Sequence, residues 1–462
     1  MAVRRAAAVV ATAAVLAVAG GAPALAIEPP SVPPGAGVPQ GPTAPSDTTE
    51  QKLFCADPIA PVGSQLDSPP PAQQMMHLPQ LWKLGRGAGQ RVAVIDTGVV
   101  PSPRLPRLEG GGDFVSSGSG LSDCDSHGTL VAGIIAAQPS PTDGIAGVAP
   151  DSTIISIRQS SMSYSAKNSE SSQPVVGDSG YGNVQTLAYA VTHAVDLHAS
   201  VINISESACA AAGSGFSDNQ LGAALRYAYQ QNVPVIAAAG NVSDNCPQNP
   251  APNPADPTDI GWQTVTSIAS PAWYSQYVLS VGTVDSTTAT PNGTSLHGPW
   301  VGVAAPGTDI VGLGAKGGTT PVLAAALPGD KGPVPFLGSS FSSAYVAGVV
   351  AVMRSAHPEW SVQQIFDRIK QTAHGAGNGH DVAVGYGVID PIAAITAQLP
   401  GYTPDPGTGH RILGNPPASH HDRVPKLIAY IGLGGLGAAA IVVWAVSIPV
   451  RRTRRLQEDE DY

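Results

Sequence analysis

The chain has 462 residues, enough for two or three average domains or one large α/β domain, and only 12% of them are charged, with 53 Gly and 44 Pro. A formal net charge of −10 leaves no basic footprint, which argues against nucleic acid as a partner. The 43% hydrophobic fraction is ample for a core.

Met1–Ala26 reads as a secretory signal peptide: Arg4 and Arg5 start it, Ala6 to Val18 is apolar, and Ala24-Leu25-Ala26 is an A-x-A cleavage site. Residues 27–73 are a Pro-rich extension, expected to be extended or disordered over 27–46. A structured domain follows over 74–399. Its expected elements are a helix over Met75–Leu84, then a buried strand over Arg91–Ile95 that ends in Asp96-Thr97-Gly98. Next come a helix from His127 to Ala137, a strand over Thr153–Ile157 and a Ser-rich loop over 158–182. The pattern continues with helix Val184–Ala199, strand Val201–Ile204, helix Asn219–Gln231, and strand Val233–Ala238 leading into Ala239-Gly240-Asn241. Strands over Tyr277–Val284 and Val301–Ala304, a Gly/Pro-rich loop over 312–335, and helices Tyr345–His357 and Val362–Thr372 complete the domain. Strands alternating with helices imply an α/β fold with a mostly parallel sheet and helices on both faces. A Pro/Gly/His linker spans 400–426, and Leu427–Ile448 is a charge-free apolar run long enough to cross a bilayer as a transmembrane helix. The tail, 449–462, opens with Arg451, Arg452, Arg454 and Arg455, which the positive-inside rule keeps in the cytosol. The domain between the two ends is therefore expected on the extracytoplasmic side of the cell membrane. In that oxidising compartment Cys55, Cys124, Cys209 and Cys246 are expected to form disulfides, with three connectivities open. None of the four has metal-ligand spacing, so no metal is expected.

Three segments carry the chemistry. Asp96 ends a buried strand, where ligand sites form in open α/β sheets. His127, in Asp125-Ser126-His127-Gly128-Thr129, starts a helix. Ser340, in Gly338-Ser339-Ser340, stands at a second helix start, where free N–H groups favour a developing anion. Each alone is compatible with a turn or a cap. Together they are what acyl transfer by an activated serine requires: a nucleophile, a base that titrates near neutrality, and an acid that fixes the base's tautomer.

In the order Asp, His, Ser these segments resemble the subtilase family over about residues 74–398. Ala237-Ala238-Ala239-Gly240-Asn241 is similar to the family's oxyanion segment. The resemblance implies that Asn241 supplies a side-chain N–H to the tetrahedral intermediate beside the Ser340 backbone N–H. Val303-Ala304-Ala305-Pro306-Gly307 resembles the segment before the serine block, and Val201-Ile202-Asn203-Ile204-Ser205 the strand lining the substrate cleft. The pattern bends at three places. The family's usual G-T-S is Gly338-Ser339-Ser340, its usual proline is Ala344, and its Gly-rich cleft segment is Glu206-Ser207-Ala208-Cys209. Glu206 either faces basic or polar substrate groups or points to solvent, and solvent is the expectation.

Signal peptide, Pro-rich extension, subtilase domain, linker and single anchor resemble the mycosins, membrane-anchored subtilases of actinobacterial type VII secretion systems. The segments Asp96-Thr97-Gly98-Val99 and Tyr345-Val346-Ala347-Gly348 are similar to theirs. The resemblance implies protein or peptide substrates, limited proteolysis of secreted proteins without a cofactor, and a contribution to the secretion membrane complex. The alternative is a scaffold of that complex with dispensable protease activity. Cys209 and Cys246 follow neighbouring strands at one end of the sheet, so a Cys209–Cys246 pair is expected, leaving Cys55–Cys124. Mycosins are similar in having two disulfides. Residues 27–73 are too short and Pro-rich for a folded prodomain; the expectation is that they are retained and wrap the domain.

Overall fold

Short apolar runs buried on both faces build the centre of the protein, a seven-stranded and entirely parallel sheet. Its strands are β1 (Arg91–Asp96), β2 (Leu108–Asp113), β3 (Thr153–Arg158), β4 (Val201–Ile204), β5 (Val235–Ala238), β6 (Val278–Val284) and β7 (Val301–Pro306), in the spatial order β7-β6-β5-β4-β1-β3-β2. The computed structural model describes residues 27–61, 63–167, 180–253, 260–316, 321–325, 333–375 and 379–399. The expected signal peptide, linker, transmembrane helix and tail lie outside these residues. Among the described residues no helix is long and apolar enough to cross a membrane.

Alternate side chains of each strand enter two different cores. Val92, Val94, Ile154, Val201 and Ile236 face α1 (His127–Ala136), α4 (Ser339–Ala356) and α5 (Val362–Thr372). Ala93, Ile95, Ile155, Ile202 and Val235 face α2 (Val184–Asp196) and α3 (Asn219–Gln230) on the other side. This places helices on both faces, as the alternation of elements predicts. The central helix, α4, is buried from Ser339 to Met353. Capping boxes start α2 (Asn183 with Thr186) and α5 (Ser361 with Gln364), which satisfies backbone donors left open at a helix start. A last short helix, α6 (Pro391–Thr396), is capped by Asp390.

Several elements differ from expectation for identifiable reasons. The single helix over 75–84 is two short ones, Pro71–Met75 and Leu78–Leu81, with His77 between them in the left-handed region. Pro79 has no N–H and its ring would clash with the carbonyl four residues back, so one continuous helix cannot pass through it. α4 starts at Ser339 rather than Tyr345, which places Ser340 inside its first turn. β2 has no apolar run to announce it, and the strands of an antiparallel pair, Ala208–Ala211 with Ser267–Ser270, are four small-residue-rich positions each and lie outside the expected elements.

Both expected disulfides are present, Cys55–Cys124 and Cys209–Cys246, with Cα atoms 4.4 and 5.8 Å apart. Loops of this length make each worth about 4 kcal/mol in the chain-entropy model, as an upper figure. The extension lies along the domain. Arg226 donates to the carbonyls of Pro33 and Ala36, Thr49–Gln51 pairs with Tyr164–Ala166, and Pro58–Ile59 pairs with Ala324–Ala325.

Candidate active site

Strand order reverses beside β1: the chain runs from β1 outward to β2, returns to β3, and then crosses to β4 on the far side of β1. Crevices form at the carboxyl ends of strands at such a switch point. Ile95 of β1 lies opposite Ile204 of β4, so the next residues on the two strands, Asp96 and Ser205 followed by Glu206, leave the sheet together at this point.

Asp96 is fully buried, and its Oδ1 lies 2.7 Å from His127 Nδ1, the length of a charge-assisted hydrogen bond. The same oxygen accepts from Thr97 N at 2.7 Å. The Thr97 hydroxyl donates to Asp123 and accepts from Gly128 N, tying the end of β1 to the start of α1. That approach needs glycine at position 128, where a Cβ would come within 2.1 Å of the Gly98 carbonyl oxygen. Asp123 is the organiser beneath His127. Its carboxylate accepts from Thr97 Oγ1, Asp125 N, Ser126 N, Thr129 N and Thr129 Oγ1. Burial pushes its pKa up to about 6 against the pull of the Thr129 and Thr97 bonds.

At the start of α4, Gly338 has φ +149°, and a point where its Cβ would stand is 3.3 Å from Ser340 Oγ and 3.4 Å from Asn241 Nδ2. The two groups thus border one small space, and the missing side chain keeps it open. Asn241 is held from behind: its Oδ1 accepts from Ser339 N and from Ser339 Oγ, both at 3.0 Å. With the amide oxygen held, Nδ2 borders the space beside Gly338. Ser205 Oγ donates to the Ser340 carbonyl at 3.2 Å, and Asn203 Nδ2 donates to Ser205, so the end of β4 braces the same turn.

Glu206 corrects the expectation that it points to solvent. Its side chain is 17% exposed, and its Oε1 is 3.6 Å from His127 Nδ1. Burial alone would lower the pKa of His127, but the Asp96 charge and hydrogen bond, then Glu206 and Asp123, outweigh it and hold the imidazole well above the ordinary histidine range. Phe341 packs its ring 5.2 Å from that of His127. No His127–Ser340 hydrogen bond is formed among the described residues; such bonds commonly tighten only when substrate binds. Asp96, His127 and Glu206 bring one ligand atom each within 4.8 Å of one another. The 2.7 Å Asp96–His127 contact nevertheless has the length of a hydrogen bond rather than of two ligands sharing a cation.

Asp96, His127, Ser340 and Asn241 therefore gather at the switch point from four separate elements. Sequence reasoning missed the bracing by Ser339, Ser205 and Asp123 and the position of Glu206. The run of hydroxyls around Ser340 was the signal for the first of these. The two disulfides flank the site, Cys124 just before Asp125 and Cys209 just after Glu206.

A family model described as the subtilase family, Peptidase S8, matches residues 87–387. Mycosin-1 of Mycobacterium tuberculosis is 44% identical over 432 residues, covering 90% of this chain and 95% of that protein. Mycosin-3 of the same organism is 39% identical over 446 residues, covering 94% and 95%. Among solved structures, MycP1 from the ESX-1 type VII secretion system superposes with a TM-score of 0.76 at 44% identity, covering 82% of this chain and 98% of that one. A chain of an intact ESX-5 inner membrane complex has a TM-score of 0.75 at 39% identity, covering 91% and 100%. With a family match over most of the domain and these identities over nine-tenths of its length, the chain belongs to the subtilase family and, within it, to the mycosins: it is a serine endopeptidase.

Proposed function

We propose that the protein is a membrane-tethered, extracytoplasmic endopeptidase that carries out limited proteolysis of type VII secretion substrates and supports the secretion membrane complex. The observation that carries the catalytic part is the 2.7 Å Asp96–His127 contact, at a switch point shared with Asn241 and Ser340. Ser340 Oγ attacks the scissile carbonyl carbon while its proton passes to the free ring nitrogen of His127, and Asp96 stabilises the imidazolium that forms. Asn241 Nδ2 and the Ser340 backbone N–H donate to the oxyanion. Collapse returns the proton to the leaving amine and leaves an acyl-enzyme on Ser340. Water, deprotonated by His127, then releases the acyl group and restores the serine.

The location rests on the apolar run 427–448 followed by its arginines, and on the likeness to a chain of an ESX-5 inner membrane complex. That likeness also favours a second reading, in which the protein is mainly a scaffold of the complex and proteolysis is dispensable. Retention of the extension is favoured by its backbone pairing with the domain at 49–51 and 58–59 and its disulfide at Cys55. Fluorophosphonate labelling of wild type and Ser340→Ala, with secretion followed in both, separates the readings. Label on the wild type alone is expected, and an unlabelled wild type defeats the enzyme mechanism. Secretion that survives Ser340→Ala but is lost on deletion establishes the scaffold role.

A further inference from the structure

We propose that Glu206 governs the protonation of the catalytic base. Its carboxylate shares the Nδ1 edge of His127 with Asp96, favours the charged imidazolium, and keeps acyl transfer slow until the pH is raised. The inference rests on the triad proposed above and adds a residue that the triad does not contain.

Geometry is the first support. Glu206 Oε1 lies 3.6 Å from Nδ1, against 2.7 Å for Asp96 Oδ1, so Asp96 takes the hydrogen bond and Glu206 adds a second charge on the same edge of the ring. The position is clamped from both sides. Ser205 bonds to the Ser340 carbonyl, and Ala208 begins the strand paired with Ser267–Ser270, whose next residue, Cys209, is tied to Cys246. These anchors hold the backbone on either side of Glu206, and the side chain places Oε1 beside the ring.

The second support is the sign of the charges around the ring. From β1 comes Asp96, from the segment before α1 comes Asp123, and from the end of β4 comes Glu206; these are the charged groups that act on the imidazole, all of them carboxylates. Asp125 faces Ser161 and Ser163. α4 contributes Ser340 and the neutral ring of Phe341. Lys316, beyond the Ala315 N–H that bonds to Ser126, is exposed and paired with Asp57. The side-chain polar contacts of His127 accordingly lie on its Nδ1 edge.

The chemical consequence has two signs. In the transition state the proton on His127 comes from Ser340, and Glu206 helps to hold that charge. At neutral pH the same carboxylate helps a solvent proton to occupy the ring first, and a protonated ring has no lone pair for the serine proton. Glu206 therefore slows the reaction below the titration of His127 and does not slow it above.

The test is the pH dependence of fluorophosphonate labelling of the detergent-solubilised full chain, in which an Oγ–P bond forms, fluoride leaves and the serine proton passes to His127. Wild type, Glu206→Gln and Glu206→Ala are compared, with Ser340→Ala as the unlabelled control. Wild-type labelling is expected to climb through an alkaline acid limb. Each Glu206 variant is expected to move that limb down by about one pH unit or more, which is about tenfold faster labelling at a pH below both midpoints, with a high-pH plateau no higher than wild type. A residue that merely packs the cleft would change the plateau and leave the limb in place. An unmoved limb in both variants overturns the inference while leaving the triad intact; a wild type that labels at no pH overturns the triad reading itself.

Discussion

Replacing Ser339 by Ala removes a hydroxyl that never meets substrate, and the structure limits what it can cost. The hydroxyl has one proton to share between two acceptors, with Oγ 2.9 Å from Gly240 O and 3.0 Å from Asn241 Oδ1. Gly240 O keeps its bond from Leu296 N, so no buried acceptor is orphaned and the fold should be little affected. Asn241 Oδ1 keeps the Ser339 N–H at 3.0 Å. What is lost is one of two restraints on the amide plane. A typical net hydrogen bond of about 1 kcal/mol corresponds to roughly a fivefold slower reaction if it is expressed fully in the transition state. On the role proposed for Asn241, the upper bound is loss of the donor itself, which for an oxyanion-hole asparagine such as that of subtilisin costs about 10²–10³ in kcat. The assay is the maximal rate of fluorophosphonate inactivation, whose phosphoryl oxygen occupies the oxyanion position, with reagent affinity fitted separately. The expectation is a rate roughly fivefold lower for Ser339→Ala with affinity unchanged, and recovery in Ser339→Thr, which keeps the hydroxyl. A folded Ser339→Ala enzyme that reacts at the wild-type rate would refute the claim that Ser339 aims Asn241.

Asp96→Asn should keep the packing at the end of β1 but present an amide to Nδ1; about 10⁴ in kcat is expected to be lost, read by the same labelling with thermal unfolding as a control for folding. Arg104→Ala should act on stability alone. Arg104 pairs with Asp143 at 2.8 Å with both side chains almost wholly buried, and it also donates to the carbonyls of Gln138 and Ile145. Truncation leaves Asp143 charged and unpaired, at a cost of about 3–5 kcal/mol measured by denaturant unfolding, and the labelling rate of the folded fraction should not change.

The strands most legible in the sequence are those buried on both faces. β1, β3, β4, β5, β6 and β7 are near-continuous apolar runs because their alternate residues enter two different cores, which leaves few positions where a polar side chain can find a partner. β2 was hidden for the opposite reason. It is an edge strand reading Leu-Glu-Gly-Gly-Gly-Asp, and its glycines answer to close neighbours rather than to a core: a Cβ at Gly111 would stand 2.7 Å from Ile155 Cγ2 and Ile157 Cγ1. The early start of α4 was hidden by composition. Ser339, Ser340, Ser342 and Ser343 look like a turn because each hydroxyl can compete for the backbone. In the fold three of them find different partners: Ser339 the Asn241 amide and Gly240 O, Ser342 the Pro306 carbonyl, and Ser343 the Ser340 carbonyl one turn back.

Reading the site separates residues by what defines their role. The residues of the proposed triad, Asp96, His127 and Ser340, stand out because the chemistry of each is written into the few residues around it. The role of Glu206 is not local. From the sequence, a carboxylate where the family has glycine is a change in the cleft and bears on which peptide fits. Its contact with the base depends on the register that sets Ile95 beside Ile204, and on the chain crossing from β3 over β1 to β4, neither of which any segment states alone. Shifting that register by one residue would send the side chains of β4 to the opposite face and take Glu206 away from the ring. The same departure from the family pattern that makes the specificity pocket unreadable therefore acts, through topology, on the protonation of the base. Differences among mycosins in the segment after β4 should accordingly appear first in their pH profiles rather than in their choice of peptide.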